Sequence, residues 1–427
     1  MHKSYNKISQ ILYFNLKAGA LPLSIIISLL LLSLCSGLVL LNFLNISYIK
    51  REQVKIGQND NAISGINICL SNPNDFLFNV TSTHCLYGDS TDIVNVVMSR
   101  WGAYGIVKSQ ALHNNHSNSK ISLIGEKYSN KAIVLANKNK YLYLLGNTKI
   151  KGDCWLPGGV ARVGSIHGST FTGEQLVWGE QYTSEPNLPP ISNYILSFIN
   201  NNLLNNILSD SIIDYRSILN DKLLENSHKN KTLKILSEEE INLNNISLTG
   251  NIIIQSSKGI TVDSTCNLRG VIIVAPKITF RSNFSGTLQA FASDSLIIRK
   301  KCTFNYPSFL ASIGNNPNQS LTIDNESTVH GALILYVLEN MYNTSSGIRL
   351  SDKCQVNGIV YSNTYTEILG KIIGTVYSNS FILNLGQTSY INYLKDAEIS
   401  PSKLSLFYSS PLLFANQTSY SIIEWLN

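Results

Sequence analysis

Asp324 and Glu326 are the pair of side chains whose spacing could do chemistry. Two residues apart on an extended strand, they would share one face. Paired carboxylates on one face are what acid/base cleavage of a glycosidic bond requires. Asp263, Asp294, Asp352 and Glu367 lie in the same third of the chain. Asp263, Asp324 and Asp352, however, each follow an apolar triplet, where a strand hands over to a turn and a polar residue is expected in any case. The row reads as polar turn ends. His113 and His116 have a spacing that could hold a metal on a helix, but their Asn and Ser neighbours indicate a solvated polar loop. GxSxG, P-loop and GxGxxG patterns are absent. The residues therefore assign no catalytic group, no metal ligand and no cofactor, and an enzyme is not the expectation.

The seven cysteines include no CxxC pair. Cys69 and Cys85 are near enough in sequence to form a disulfide in an oxidising compartment, which would staple a stem to the β region behind it. Cys266 and Cys354 each stand four residues before a glycine, Gly270 and Gly358. Cys302 stands four before Tyr306, where the next glycine would fall. Ser282 and Ser327 hold the same place before Gly286 and Gly331. A small side chain recurring at one place in a repeat reads as an inward-facing turn site. A metal set would need His partners and ligand spacing that are missing.

The elements that must position these residues follow from the glycines. Gly270, Gly286, Gly331, Gly358 and Gly374 each open an apolar run, as in Val271-Ile-Ile-Val and Ala332-Leu-Ile-Leu, and further triplets such as Ile260-Thr-Val and Leu321-Thr-Ile fall between them. Short strands joined by tight turns, repeating along the chain, predict a right-handed parallel β-solenoid over 241–390. The glycines let the chain turn with positive φ or approach its neighbour closely. In that register Ile272 points inward. Residues 74–190 predict a β-rich region, Gly-punctuated from 146, with short strands in tight turns. Residues 191–240 predict one or two amphipathic helices inserted between β regions, from the spacing of Ile195, Leu196, Ile199, Leu203, Leu204, Ile207 and Leu208, then of Ile212 to Leu224. Residues 391–427 form a C-terminal cap. The fold class is mainly β.

Ahead of all this, Ala18 to Ile49 carries no charge. A bilayer core takes about 20 apolar residues as helix, whereas a signal-peptide core is about 7–15 long, so 18–49 reads as a retained transmembrane helix. A tail, 1–17, precedes it and a helical stem, 50–73, follows. Lys3, Lys7 and Lys17 before the span nearly balance Lys50, Arg51 and Lys55 after it. The large body follows the span, which favours an inside N-terminus and an extracytoplasmic body at a bacterial inner membrane. The chain is 14% charged against about 25% for an average domain, with net charge +6 and no basic block, which excludes a nucleic-acid arm.

Tail, uncleaved span, α stem and β body together resemble type IV pilin-like and pseudopilin-like envelope proteins, the minor pilins above all. The resemblance implies processing between Gly19 and Ala20 and assembly with envelope or pilus-like subunits. Where the family carries Glu, this chain has Ser24. The repeat of 250–390 resembles polymer-forming β-solenoids of the bactofilin kind, which implies self-association. Gly286-Thr-Leu-Gln-Ala-Phe with Tyr306-Pro-Ser is similar to segments of membrane-anchored β-helix proteins of Bacteroidetes-type bacteria. The expected function is structural: a scaffold, adhesin or pilus-like or secretion-system assembly component at the membrane. A carbohydrate-binding or carbohydrate-cleaving β-helix protein, with a polysaccharide partner, is the second reading.

Overall fold

The computed structural model describes residues 20–88, 92–113, 116–128, 131–204, 211–218, 222–338, 346–415 and 419–426. Tail residues 1–17 and the processing residue Gly19 lie outside them. Helix α1 (Ala20–Ser71) runs unbroken through the described part of the expected span and on through the stem as far as Ser71. Its serines keep their hydroxyls inside the helix, Ser28 Oγ donating to the Ser24 carbonyl and Ser33 Oγ to the Leu30 carbonyl, so they cost little in an apolar setting. The apolar half is exposed throughout, and α1 is long and apolar enough to cross a membrane. Its later half buries Gln58, Ala62, Ile66 and Cys69, a helical stripe. The helix ends two residues before Pro73, which disfavours helical geometry in its predecessor.

That stripe lies on an antiparallel sheet of β1 (Thr81–Cys85), β2 (Asp92–Trp101), β3 (Tyr104–His113) and β4 (His116–Lys127). β2 alternates, burying Val94, Val96 and Met98 against Ile66 and Cys69. Helix and sheet approach closely at Gly65, where a Cβ would collide with Ser109 Oγ. The β2–β3 hairpin turns on Gly102, φ +57°, as a tight two-residue connection demands.

The body is a parallel sheet that closes on itself. Its longest strands are β5 (Asn267–Phe280), β6 (Ser285–Ile298), β7 (Thr303–Gly314), β8 (Thr328–Val337), β9 (Gln355–Ile368) and β10 (Lys371–Leu385). Three ladders advance together. One passes from Ser211–Asp214 through Leu233–Ser237 and Ile252–Ser256 to the middles of β5 to β10. A second links Leu223–Asn226 and Ser247–Gly250 to the starts of those strands. A third links Ile241–Leu243 and Gly259–Val262 to their ends, with Ser320–Ile323 and Gly347–Leu350 between.

Beyond β10 the ladders continue into a part of the chain far earlier in sequence. Val376 pairs with Ile133, and Lys131–Leu135 then pairs with Asp153–Leu156, which pairs with Gln181–Thr183. Residues 131–183 thus stack on the end of β10. From Thr183 the chain returns along the flank through helix α2 (Asn193–Leu204) and re-enters at Ser211, the opposite end. After β10 it runs back to the antiparallel sheet, where Ser409–Ser410 and β11 (Tyr420–Leu426) both pair with β4.

Two sequence expectations fail in this region. The second helix expected from Ile212 to Leu224 is reduced to α3 (Tyr215–Ile218); Ser211–Asp214, Leu223–Asn226 and Leu233–Ser237 are strands. Ile213 and Leu224 gain the same buried contact at period two that they showed at helical spacing, and the waiting parallel edge decides between them. Ile207, Leu208 and Leu219 lie outside the described residues. Ile272 is buried, but it faces outward. Val271, Ile273 and Ala275 fill the interior, while Ile272 and Val274 belong to a second core under α2, Trp101, Tyr104 and Leu413. Phe198 of α2 meets Phe291 there at 4.4 Å.

The repeat register also shifts. Pairing aligns Cys266, Phe284, Cys302, Ser327 and Cys354 just ahead of the second ladder. Ser282 is therefore not in the turn slot; it is exposed, and the buried Phe284 takes it. Phe284, Cys302, Ser327 and Cys354 each follow a left-handed corner residue, Asn283, Lys301, Glu326 or Lys353, with φ between +58° and +66°. Gly331, Gly358 and Gly374 stack in register with φ +147°, +145° and +152°. A Cβ on Gly358 would overlap the Gly331 carbonyl oxygen, so this column requires glycine. Ser308, not Tyr306, stands opposite Gly331. Gly270 is skipped at a bulge with φ +69°, and Gly286 pairs with Phe304, its Cβ direction facing the Phe284 ring.

Candidate functional site

The carboxylates singled out by spacing do not converge. Their strand ends at Ile323, so Asp324 and Glu326 occupy a corner rather than one strand face. Asp324 pairs with Arg299 at 3.5 Å and Glu326 with Lys301 at 3.8 Å. Asp263 pairs likewise with Arg281 at 3.2 Å. Glu367 is buried, with Arg349 at 2.7 Å and Asn384 donating at 2.8 Å. Asp263, Asp324, Glu326 and Glu367 thus each face a cation on a neighbouring rung, and no two of these four share a site.

His113 and His116 end one strand and begin the next, paired across a tight hairpin rather than set in a polar loop. Asn114, Asn115 and the His116 side chain lie outside the described residues. His113 lies 3.1 Å from Asp92. Among the described residues no group of three His, Cys, Asp or Glu could hold a metal ion.

Every cysteine is a free thiol. Cys69 is sunk between α1 and the sheet, whereas Cys85 is exposed at the end of β1, so the disulfide expected between them does not form. Burial pushes the Cys69 thiol up to about 11 and Cys154 up to about 12, away from nucleophilic character. Cys266, Cys302 and Cys354 are buried and raised for the same reason. The Cys302 and Cys354 thiols donate to the Arg281 and Asp324 carbonyls at 3.1 and 2.9 Å. Cys302 and Cys354 are separated by the Ser327 rung, about two strand spacings of 4.7–4.9 Å and too far for a disulfide.

The structure instead gathers polar groups where the sequence pattern breaks. A hollow of about 450 Å³ opens between the starts of β5, β6 and β7 and the C-terminal strand β11. Asn267 and Ser285 offer neutral polar side chains from successive rungs, as do Thr287 and Asn305. Arg269 Nη2 and Glu424 Oε1 meet at 3.0 Å across it, both partly open to solvent. Every wall of the hollow carries an irregularity. The ladder slips between Arg269 and Val271, between Gly286 and Gln289, and between Phe304 and Ser308, and β11 slips between Ile422 and Glu424. Bulges re-aim side chains and end pairing, and they concentrate beside binding sites.

The hollow is also braced from behind. Trp101 Nε1 donates to the Gly270 carbonyl at 3.3 Å, and Gln289 holds the β2–β3 hairpin through Ala103 N at 2.7 Å and the Trp101 carbonyl at 3.0 Å. The Tyr306 hydroxyl donates to the Ser409 carbonyl at 2.9 Å, tying a neighbouring wall to the returning chain. Burial raises the Tyr306 phenol, so it stays protonated. Sequence reasoning missed Arg269, Asn305 and Glu424. The signal was Asn305-Tyr-Pro307, which inserts residues into an otherwise regular repeat.

No family model matches the sequence, and no curated protein matches it. Among solved structures the chain is similar to the competence-associated pilin ComZ from Thermus thermophilus, at 12% identity over 82% of this chain and 86% of that chain, with a TM-score of 0.22.

Proposed function

We propose that this chain is a structural protein of the cell envelope, a rigid body on a single membrane helix that acts as a scaffold, an adhesin or a pilus-like or secretion-system assembly component. The carrying observation is the continuity of α1. One unbroken helix leaves the exposed apolar segment, sinks into the antiparallel sheet, and that sheet shares the second core with the body. Body and anchor are joined by packing rather than by a linker, as a load-bearing mount requires. The closed parallel sheet is read as a right-handed β-solenoid. Three ladders advancing in step support the solenoid, and the strong preference of parallel crossovers supports the hand. The apolar helix supports a membrane anchor, and a bacterial inner membrane with the body extracytoplasmic is part of this proposal.

Assembly with a second copy or with other envelope subunits is part of this reading. Both ends of the first ladder are open: Gln181–Thr183 pairs only with Asp153–Leu156, and Ser211–Asp214 only with Leu233–Ser237, among the described residues. Unpaired strand edges are templates for further pairing. Fractionation tests the anchor. The full chain should stay with membranes through alkaline carbonate and leave them in detergent, with its body open to protease from outside. An intact Met1 then means a plain anchored scaffold and a start at Ala20 a processed, pilus-like subunit. A soluble mature chain beginning beyond residue 49 overturns the reading.

A further inference from the structure

We infer that the hollow between β5, β6, β7 and β11 is a binding site for a segment of neutral glycan. The volume is that of a small-ligand site, about 450 Å³ within the usual 300–1,000 Å³. Its polar atoms come from adjacent rungs, about 4.7–4.9 Å apart, close to the length of one pyranose ring. Asn305 and Asn267 offer both donors and acceptors, and Ser285 and Thr287 add hydroxyls that rotate to suit. Hydroxyl-rich ligands need that mixture.

Charge narrows the class. Arg269 and Glu424 face the hollow as a matched pair. An anionic chain would meet the Glu424 carboxylate and a cationic one the Arg269 guanidinium, whereas sugar hydroxyls donate to the first and accept from the second. The Tyr306 ring and Ile423, both partly exposed, supply apolar surface for the C–H face of a ring. Ile423 lines the hollow because β11 bulges at that residue. Three slipped rungs and a slipped covering strand meet at this hollow, where bulges re-aim side chains. The inference extends the second reading named above and is independent of the anchor: fractionation can succeed while glycan binding fails.

The full chain in detergent micelles would be titrated calorimetrically with a panel of neutral hexasaccharides (cello-, malto-, chito- and manno-) and with hexagalacturonate. At least one neutral member should bind. Asn305→Ala and Glu424→Gln should each weaken it about tenfold or more, as loss of one hydrogen bond to a polar or charged partner does. Ser389→Ala, at the Arg349–Glu367 hollow elsewhere on the body, should leave it unchanged. Both test residues are solvent-facing, so the variants should melt with the parent chain. Failure of every neutral sugar, tighter binding of hexagalacturonate, or unchanged affinity in both variants overturns the inference.

Discussion

The antiparallel sheet and the parallel body bury their strands differently, and the difference is written in how long their apolar runs are. In β2 only alternate residues are buried: Val94, Val96 and Met98 meet α1, while Val97 between them is half-exposed. In β5 the whole run Val271 to Ala275 is buried, because odd positions fill the interior and even ones the second core. A sheet packed on one face alternates; a sheet packed on both reads as a continuous run. The body thus needs its flank covered, and α2 and the antiparallel sheet cover it.

The largest effect should come from charging that second core. Ile272→Asp places an unpaired carboxylate where no water reaches and should cost several kcal/mol, enough to unfold the body, whereas Val97→Asp, equally outward on its strand, should cost under about 1 kcal/mol. Thermal melts of the two variants test this, and equal losses would break the comparison. Next is the glycine column. Gly358→Ala would force a Cβ into the Gly331 carbonyl and should cost about 2–3 kcal/mol. Gly88→Ala in the β1–β2 turn, with φ +77° and open space, should cost only about 1 kcal/mol; denaturant midpoints separate them.

A smaller effect lies at the seam between the regions. Glu126 of β4 faces both returning strands, and burial raises its carboxyl from 4.5 to about 7. The folded chain keeps this proton where the unfolded chain has lost it. Its contribution to stability is therefore full below about pH 4.5 and lost as pH rises to about 7. Glu126→Gln should remove that slope, read from melting temperature against pH. Smallest is thiol access: in the native chain Cys85 should alkylate quickly, while Cys69, Cys302 and Cys354 should react only on unfolding.

Much of this was legible in the sequence. The long uncharged segment gave the helix, and the Gly-led triplets marked parallel strands, because both are patterns of local burial. The direction in which Ile272 points was not legible, since a run apolar at every position carries no phase. Ser282 was misplaced because its spacing to Gly286 mimics that of Cys354 to Gly358; only pairing shows that Phe284 fills the slot. Ile212 and Ile213 fit a helix locally and became a strand because a parallel edge was available. The hollow was hidden because Arg269, Asn305 and Glu424 are brought together by the return of β11 from the far end of the chain. Nothing local in the sequence encodes that meeting.

The most direct test of the account is whether residues 131–183 stack on the end of β10. Lys149 pairs with Glu398, which pairs with Lys371. Lys149→Cys and Glu398→Cys, combined with Cys85→Ser, place two thiols on adjacent rungs at disulfide range. Mild oxidation of the membrane-bound chain should link them and shift its mobility on a non-reducing gel. A pair that stays reduced while a Gln355→Cys/Lys371→Cys control links would contradict the single stacked body.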